Sequence, residues 1–334
     1  VSDPALPPDP GPRDPQDDLR ASVVVCAHTM DRWDDIVAGA AALARQTRPP
    51  LEVVLVIDHN PALLDRARAE LPAVLPGIRV LDNPRTGGAS GARNTGIAEA
   101  RGSVVAFVDD DARPEDDWLE RLLAAYDDPR VMAVGGVARP VWPQARPAHL
   151  PPELDWLVGC TYLGQPTVRS DVRNLWGCNM SVRASAFEQV GDFLEEVGRV
   201  GLIPLGNEET ELCIRIGQRI PGARVVFEPT AVVHHRVTEA RCEWSYLVSR
   251  SHAEGISKAA ISRVVGAGDA TSDERGYATR VLPRGVLREL GRGNVRGAAG
   301  IVTCLFVTAW WYARGRLGHV SAIGSSASSS RARA

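Results

Sequence analysis

The chain has 334 residues, enough to bury the core of one large α/β domain or two smaller ones. Its formal net charge of −3 argues against a general nucleic-acid-binding surface. Six cysteines (Cys26, Cys160, Cys178, Cys213, Cys242 and Cys304) show no CxxC spacing, which reads as neither a zinc site nor a disulfide framework and points to reduced thiols in a cytoplasmic setting.

Residues 1 to 20 carry six prolines and read as a disordered tail, without the apolar run of a signal peptide. Ser22 to Ala27 is the first buried strand and ends in the polar loop His28 to Arg32. A helix from Trp33 to Gln46 follows, stopped by Pro49-Pro50. Leu51 to Ile57 is the second strand, closing on Asp58-His59-Asn60-Pro61. A helix from Ala62 to Leu71 leads to a short strand, Ile78 to Leu81. Asn83 to Gly96 is a glycine-rich loop that enters a helix reaching Ala100. Strands alternating with helices of about ten residues predict a parallel, helix-covered sheet.

Val104-Val105-Ala106-Phe107-Val108 then runs without a polar break into Asp109-Asp110-Asp111. So short an apolar run reads as a strand buried on both faces. Its carboxyl end faces the ligand crevice of an open α/β sheet. Three adjacent carboxylates repel one another unless a cation or donors lie among them. Residues i and i+2 of an extended segment point the same way, so Asp109 and Asp111 can share a ligand while Asp110 turns aside. Hard oxygen ligands beside a phosphate suit Mg²⁺ or Mn²⁺.

Trp118 to Tyr126 reads as an amphipathic helix and Val131 to Val137 as a strand, with residues 139 to 152 loop-like. Asn174 to Val182 looks extended, and Ala184 to Val190 starts a helix. Gly206-Asn207-Glu208-Glu209 opens another helix whose Leu212, Ile216 and Ile220 recur every four residues. Val225 to Phe227 and Ala231 to Val233 are short apolar runs leading to His234-His235. Residues 265 to 280 read as a loop, and the tail from Ser325 as disordered. The glycine loop can present backbone N–H groups to a phosphate at a helix N-terminus, with Arg93 as an added cation. It fits neither the dinucleotide nor the Walker spacing.

Val24 to Arg32, Glu52 to Asp58, Gly87 to Gly96, Phe107 to Asp111, Gly177-Cys178-Asn179-Met180-Ser181 and Glu208 to Leu212 resemble, in order, the motifs of family 2 glycosyltransferases. The resemblance spans residues 22 to 258. It implies a GT-A fold, with a doubly wound, mostly parallel sheet between helices and a C-terminal helical extension. It also implies inversion at the anomeric carbon. His235-Arg236-Val237, Arg241, Tyr246, Arg250 and Glu254 to Lys258 resemble a branch that includes archaeal glucuronosyltransferases acting on dolichyl-phosphate sugars.

By that resemblance Ala27, Thr29, Arg32, Asp58, Arg93, Asp109 and Asp110 contact the nucleotide-sugar donor. Asp58 serves the nucleobase, Asp109 the ribose or metal, and Asp111 the Mn²⁺ or Mg²⁺ ion. Glu209 stands where the family usually has a catalytic Asp, one methylene longer in reach. His235, in competition with His234, completes the metal shell. Asn179, Glu208, Arg241 and Arg250 are candidates for acceptor or phosphate contacts. The expected reaction is a metal-assisted single displacement in which Glu209 takes the acceptor proton. A nucleotidyltransferase and a catalytically silent sugar-nucleotide-binding protein stand as alternatives.

Gly297 to Ala313 contains no charged residue, closes with Trp310-Trp311-Tyr312 and lies between Arg296 and Arg314. Its seventeen residues make a helix of about 25 Å, at the short limit for spanning a bilayer. The aromatic cluster resembles an interface belt. Spanning, surface insertion and packing on the domain are all open on this reading. The expected organisation is a tail to residue 20, a donor-binding half over 21–138 and an acceptor-binding and catalytic half over 139–260. A membrane-associating helical extension over 261–320 and a second tail over 321–334 complete it. The expected partners are a nucleotide sugar, a lipid-linked sugar or glycan (a soluble acceptor being the alternative) and the cytoplasmic face of a membrane, with no nucleic acid.

Overall fold

A computed structural model describes residues 19–195, 208–264, 274 and 276–317. The apolar runs become strands of a nine-stranded sheet: β1 (Ala21–Ala27), β2 (Glu52–Ile57), β3 (Arg79–Asp82), β4 (Val104–Asp109), β5 (Ala112–Pro114), β6 (Val131–Val141), β7 (Ser170–Asp171), β8 (Asn179–Arg183) and β9 (Arg224–Arg236). The spatial order is β3-β2-β1-β4-β8-β6-β9-β5, with β7 paired to β9. The β3-β2-β1-β4 half is parallel, as expected. The other half is mixed, because β8 runs antiparallel to both β4 and β6, and β5 and β7 antiparallel to β9. β6 continues through residue 138 to Val141, so the donor and acceptor halves share one sheet and part of the expected loop is strand.

β4 shows why its sequence lacks alternation. Val104, Ala106 and Val108 face one core with α1 (Trp33–Ala44), α2 (Pro61–Glu70) and α4 (Trp118–Ala124). Val105 and Phe107 face a second core with α3 (Ala89–Glu99), α5 (Ala184–Val190) and α6 (Glu208–Arg219). A strand buried on both faces has no polar side to display. The two apolar runs after residue 224 form one strand, β9. A register shift opposite Gly136/Val137 accommodates the interrupting Pro229-Thr230. A Cβ at Gly136 would lie 1.9 Å from the Ala231 carbonyl oxygen, so this bulge requires glycine.

The C-terminal helices begin earlier than the composition suggests. α7 (Trp244–Val264), α8 (Leu282–Gly291) and α9 (Val295–Arg316) enclose a third core of Leu150, Leu154, Leu157, Leu247, Leu282, Ile301 and Cys304. α9 approaches α7 closely through small residues. Thr308 donates to the Ser251 carbonyl at 3.2 Å, and a Cβ on Gly255 would meet the Thr308 carbonyl oxygen at 2.6 Å. Trp311 stacks against His252 with ring centroids 4.0 Å apart.

Several expectations change. Tyr277–Val281 is a π-helical turn, not loop, leading into α8. Residues 265–273 and 275 lie outside the described residues, as do Gly206-Asn207 and both expected tails except Leu19 and Arg20. Leu19 is buried in the first core and is not part of a free tail. Within 174–182 only the portion from Asn179 is strand.

Candidate active site

The acidic strand end is built from three elements. β5 pairs with β9 so that Ala112 lies opposite His235, and the Arg236 N–H donates to the Asp111 carbonyl at 2.9 Å. This register brings His235 Nε2 to 3.2 Å from Asp111 Oδ1. From the β1 loop, Arg32 reaches Asp111 Oδ2 at 3.1 Å and pairs with Asp110. Arg32 thus supplies the cation that Asp110 and Asp111 require.

Asp110, expected among the donor contacts and to turn aside from the other two, is 3% exposed and shares Arg32 with Asp111, while Asp109 pairs separately with Arg93. Burial, with Asp111 and Asp109 nearby, pushes its carboxyl up to about 7 in spite of Arg32. Asp111 is equally buried, but His235, Arg32 and Arg241 outweigh burial and hold its carboxyl well below the usual range. Burial opposes a charge on His235, yet Asp111 overrides it and pushes the imidazole up to about 10. His234 points the other way and meets Glu115 at 3.0 Å, so of the two histidines His235 is the one brought to the cluster.

The glycine loop is folded around Asp58. Asp58 Oδ2 accepts from the Gly88 N–H at 2.8 Å, and Oδ1 accepts from Asn83 Nδ2 at 2.7 Å and lies 2.8 Å from His59 Nδ1. Asn83 in turn accepts from the Thr95 hydroxyl at 2.7 Å and the Arg85 N–H at 3.1 Å. Ala27 contributes its carbonyl, which accepts from the Asp58 N–H at 2.7 Å. Thr29 Oγ1 accepts from the Asp31 N–H at 3.2 Å and caps the loop's 3-10 turn. Asp58 therefore sets the loop's shape, a role that Asn83 shares and that motif reading missed. Only the turn-forming Asn-Pro pair hinted at it.

Arg93 joins the two halves. It lies buried on α3, with Nη2 3.2 Å from Asp109 Oδ1 and Nη1 2.9 Å from Glu208 Oε1. Its guanidinium also covers the Phe193 ring at 5.5 Å. Gly177 lets it pass, since a Cβ there would sit 2.7 Å from Nη2. Glu209, next on α6, is half-buried. Loss of water and the neighbouring Glu208 push its carboxyl up to about 8, despite Arg93.

The remaining candidates separate. Asn179 is fully buried, accepting from Trp118 Nε1 at 2.7 Å and donating to the Val137 and Ala231 carbonyls at 2.9 and 3.0 Å. Fully buried, with both amide N–H groups committed to backbone carbonyls, it has no donor left for a phosphate and does not face a crevice where an acceptor could reach it. Arg250 pairs with Glu254 at 2.9 Å on α7, itself 3.1 Å from Lys258. Arg241 is half-buried, donates to the Val158 carbonyl at 3.5 Å and adds to the positive charge that holds Asp111 low.

Asp109, Cys178 and His235 each offer a ligand atom, and these atoms lie within 4.8 Å of one another. Both Asp111 carboxylate oxygens are buried, one ion-paired with His235 and the other with Arg32. The part of Cys178 escaped sequence reasoning, because a single cysteine without CxxC spacing carries no ligand signal. Burial first, then Asp109, hold its thiol well above the ordinary range.

A parallel half-sheet with a phosphate-type glycine loop and a carboxylate cluster, joined to a mixed half bearing a helix-borne acid, is the GT-A architecture of glycosyltransferases. The description "Glycosyl transferase family 2" matches residues 22–191, and the chain belongs to that family. It is 36% identical over 241 residues to a glucosyl-dolichyl phosphate glucuronosyltransferase of Haloferax volcanii, covering 72% of this chain and 76% of the relative. The mannosyltransferase PcManGT of Pyrobaculum calidifontis, solved with GDP-Man and Mn²⁺, superposes with a TM-score of 0.58 at 18% identity, over 92% of this chain and 89% of that one. GalNAc-T7, solved with UDP, GalNAc and Mn²⁺, gives a TM-score of 0.51 at 18% identity, over 71% of this chain and 48% of that one. At that identity the two structures speak for the fold alone.

Proposed function

We propose that this glycosyltransferase moves a sugar from a UDP-linked donor to a hydroxyl of a lipid-linked sugar, with inversion at C1, at the cytoplasmic face of a membrane. The observation that carries the reading is the Arg93 bridge. One buried cation holds the strand-end Asp109 and the helix-borne Glu208 together, so Glu209 stands beside the donor crevice. The Haloferax relative, by its printed name, acts on a glucosyl-dolichyl phosphate, which supports a lipid-linked sugar as acceptor.

In this reading Asp58 and the loop it shapes receive the nucleobase, while Arg241 and the Gly88 end of α3 face the diphosphate. Glu209 accepts the proton of the attacking hydroxyl. A carboxyl near 8 is matched to that task at neutral pH, where a base of ordinary carboxylate strength is a poor proton acceptor. Asp111 and His235, with Asp109, offer the donors that suit a divalent cation: the Asp109 and His235 ligand atoms lie within 4.8 Å of each other, and Asp111 Oδ1 lies 3.2 Å from the imidazole. When bound, Mn²⁺ or Mg²⁺ offsets negative charge on the departing nucleoside diphosphate.

The membrane side is the outer face of α9. Its inner face packs on α7 and α8, while Val302, Leu305, Phe306 and Trp310 stay exposed, as do Leu287 and Leu290 of α8. A helix already committed along one face to its own domain is suited to lying in the interface. Trp311 packs inward on His252, so the belt reduces to Phe306 and Trp310, stacked 6.3 Å apart. The test is transfer from a panel of nucleotide sugars to a polyprenyl-phosphate sugar in liposomes. UDP release and acceptor-dependent product support the reading, whereas transfer only to a water-soluble glycan would overturn the lipid acceptor.

A further inference from the structure

The centre assigned to Mn²⁺ or Mg²⁺ contains a donor that neither ion wants. Hard cations take oxygen, and thiolates select softer ions such as Zn²⁺. Cys178 Sγ nevertheless lies within 4.8 Å of the ligand atoms of Asp109 and His235. A tetrahedral Zn²⁺ with bonds of about 2.0–2.3 Å needs its donors roughly 3.3–3.8 Å apart. Side-chain movement of about an ångström closes that triangle. The imidazole is oriented for this: its Nδ1 rests 3.7 Å from the Cys160 thiol, leaving Nε2 toward the carboxylates.

We propose that Asp109, Cys178 and His235 form a site for a thiophilic divalent ion, Zn²⁺ foremost, that inhibits the transferase. The inference rests on the proposed metal centre and adds to it a second, inhibitory coordination. On binding, the Cys178 S–H gives its proton to water and a sulfur–metal bond forms, with no change of oxidation state. Two trends favour the softer ion over Mn²⁺. Zn²⁺ binds N/O/S sites more tightly in the divalent series, and the thiolate adds to that preference. Inhibition follows from competition: a thiophilic ion that holds Asp109 and His235 takes from Mn²⁺ two of the ligands that the transferase reading gives it.

The experiment titrates the full chain with Co²⁺, a spectroscopic stand-in for Zn²⁺, and follows thiolate-to-cobalt charge-transfer absorption. The wild type should show the band, saturating at one equivalent and displaced by Zn²⁺. Cys160→Ser should keep the band and Cys178→Ser should lose it, with a thermal melt establishing that each variant is folded. In Mn²⁺-supported turnover, Cys178→Ser should raise the Zn²⁺ needed for half-inhibition at least about tenfold, since even outer-shell partners of a metal are worth that much. Cobalt binding without the band, no cobalt binding, or a band that survives Cys178→Ser or vanishes only in Cys160→Ser would each overturn the inference. Turnover with Mn²⁺ but no band defeats this inference alone; a band without turnover under any metal defeats the transferase reading and leaves the soft-metal site standing.

Discussion

Arg93 on α3 holds Glu208 on α6 at 2.9 Å, across 115 residues of chain. The same guanidinium reaches Asp109. Both side chains of the Arg93–Glu208 pair are nearly buried, so removing one partner leaves an uncompensated charge, at a cost of about 3–5 kcal/mol. Arg93→Met should therefore lower the melting temperature and nearly abolish turnover. Arg93→Lys keeps the charge without the fork that spans two carboxylates, and should retain the fold while losing kcat more than donor KM. A lysine variant with wild-type kcat would show that the bridge does not position the catalytic turn.

Glu209→Gln should keep donor and metal binding and lose turnover by about 10²–10⁴. The pH profile of the wild type is a second test. The basic form of Glu209 grows as pH rises toward about 8, so kcat/KM should climb about tenfold per unit below that point and then level. A profile already flat from pH 6 upward would remove Glu209 as the base.

The Asp111–His235 pair makes metal binding pH-dependent. Asp111 is held low, so its contribution to stability is present above its ordinary value of 3.8 and lost as pH falls through its folded value. His235 is raised to about 10, so its contribution is complete below 6.5 and fades as pH rises toward 10. A cation at this site must displace the imidazole proton. Mn²⁺ affinity should accordingly increase from pH 7 to 9 with proton release, measured by calorimetry in two buffers of different ionisation enthalpy. Equal affinity at both values contradicts His235 as a ligand. Asp111→Asn should abolish metal-supported turnover and also lower the melting temperature, because Arg32 and His235 lose their buried carboxylate.

What the sequence disclosed depended on how each residue is buried. β4 was legible because both faces are packed and its polar groups are confined to one end. The mixed half-sheet was not, since β8 and β9 carry the same apolar composition in either direction. α7 gave no helical stripe. Ser251, Gly255 and Ala259 meet α9 at backbone distance, and close packing by small residues leaves no hydropathy signal. Asn179 looked functional beside Gly177 and Cys178, yet its amide joins three elements of the core. The metal candidates were readable as types, but only the β5–β9 register distinguishes His235 from His234.

The outer face of α9 predicts membrane behaviour without touching chemistry. Phe306→Glu with Trp310→Glu should abolish sedimentation with liposomes and raise the apparent KM for an embedded acceptor, leaving donor hydrolysis unchanged. Deleting residues 295 to 334 is a poorer test, because Ile301 and Cys304 belong to the third core and their loss should unfold the C-terminal helices. Unchanged sedimentation of the double variant would place membrane contact elsewhere.

The most direct measurement is the anomeric configuration of the product, read by NMR after transfer from a UDP-sugar to a polyprenyl-phosphate sugar with Mn²⁺. A single displacement with Glu209 as base predicts release of UDP and a glycosidic bond of configuration opposite to the donor's, both lost in Glu209→Gln. Retained configuration, or inverted product formed as fast by Glu209→Gln, would contradict it.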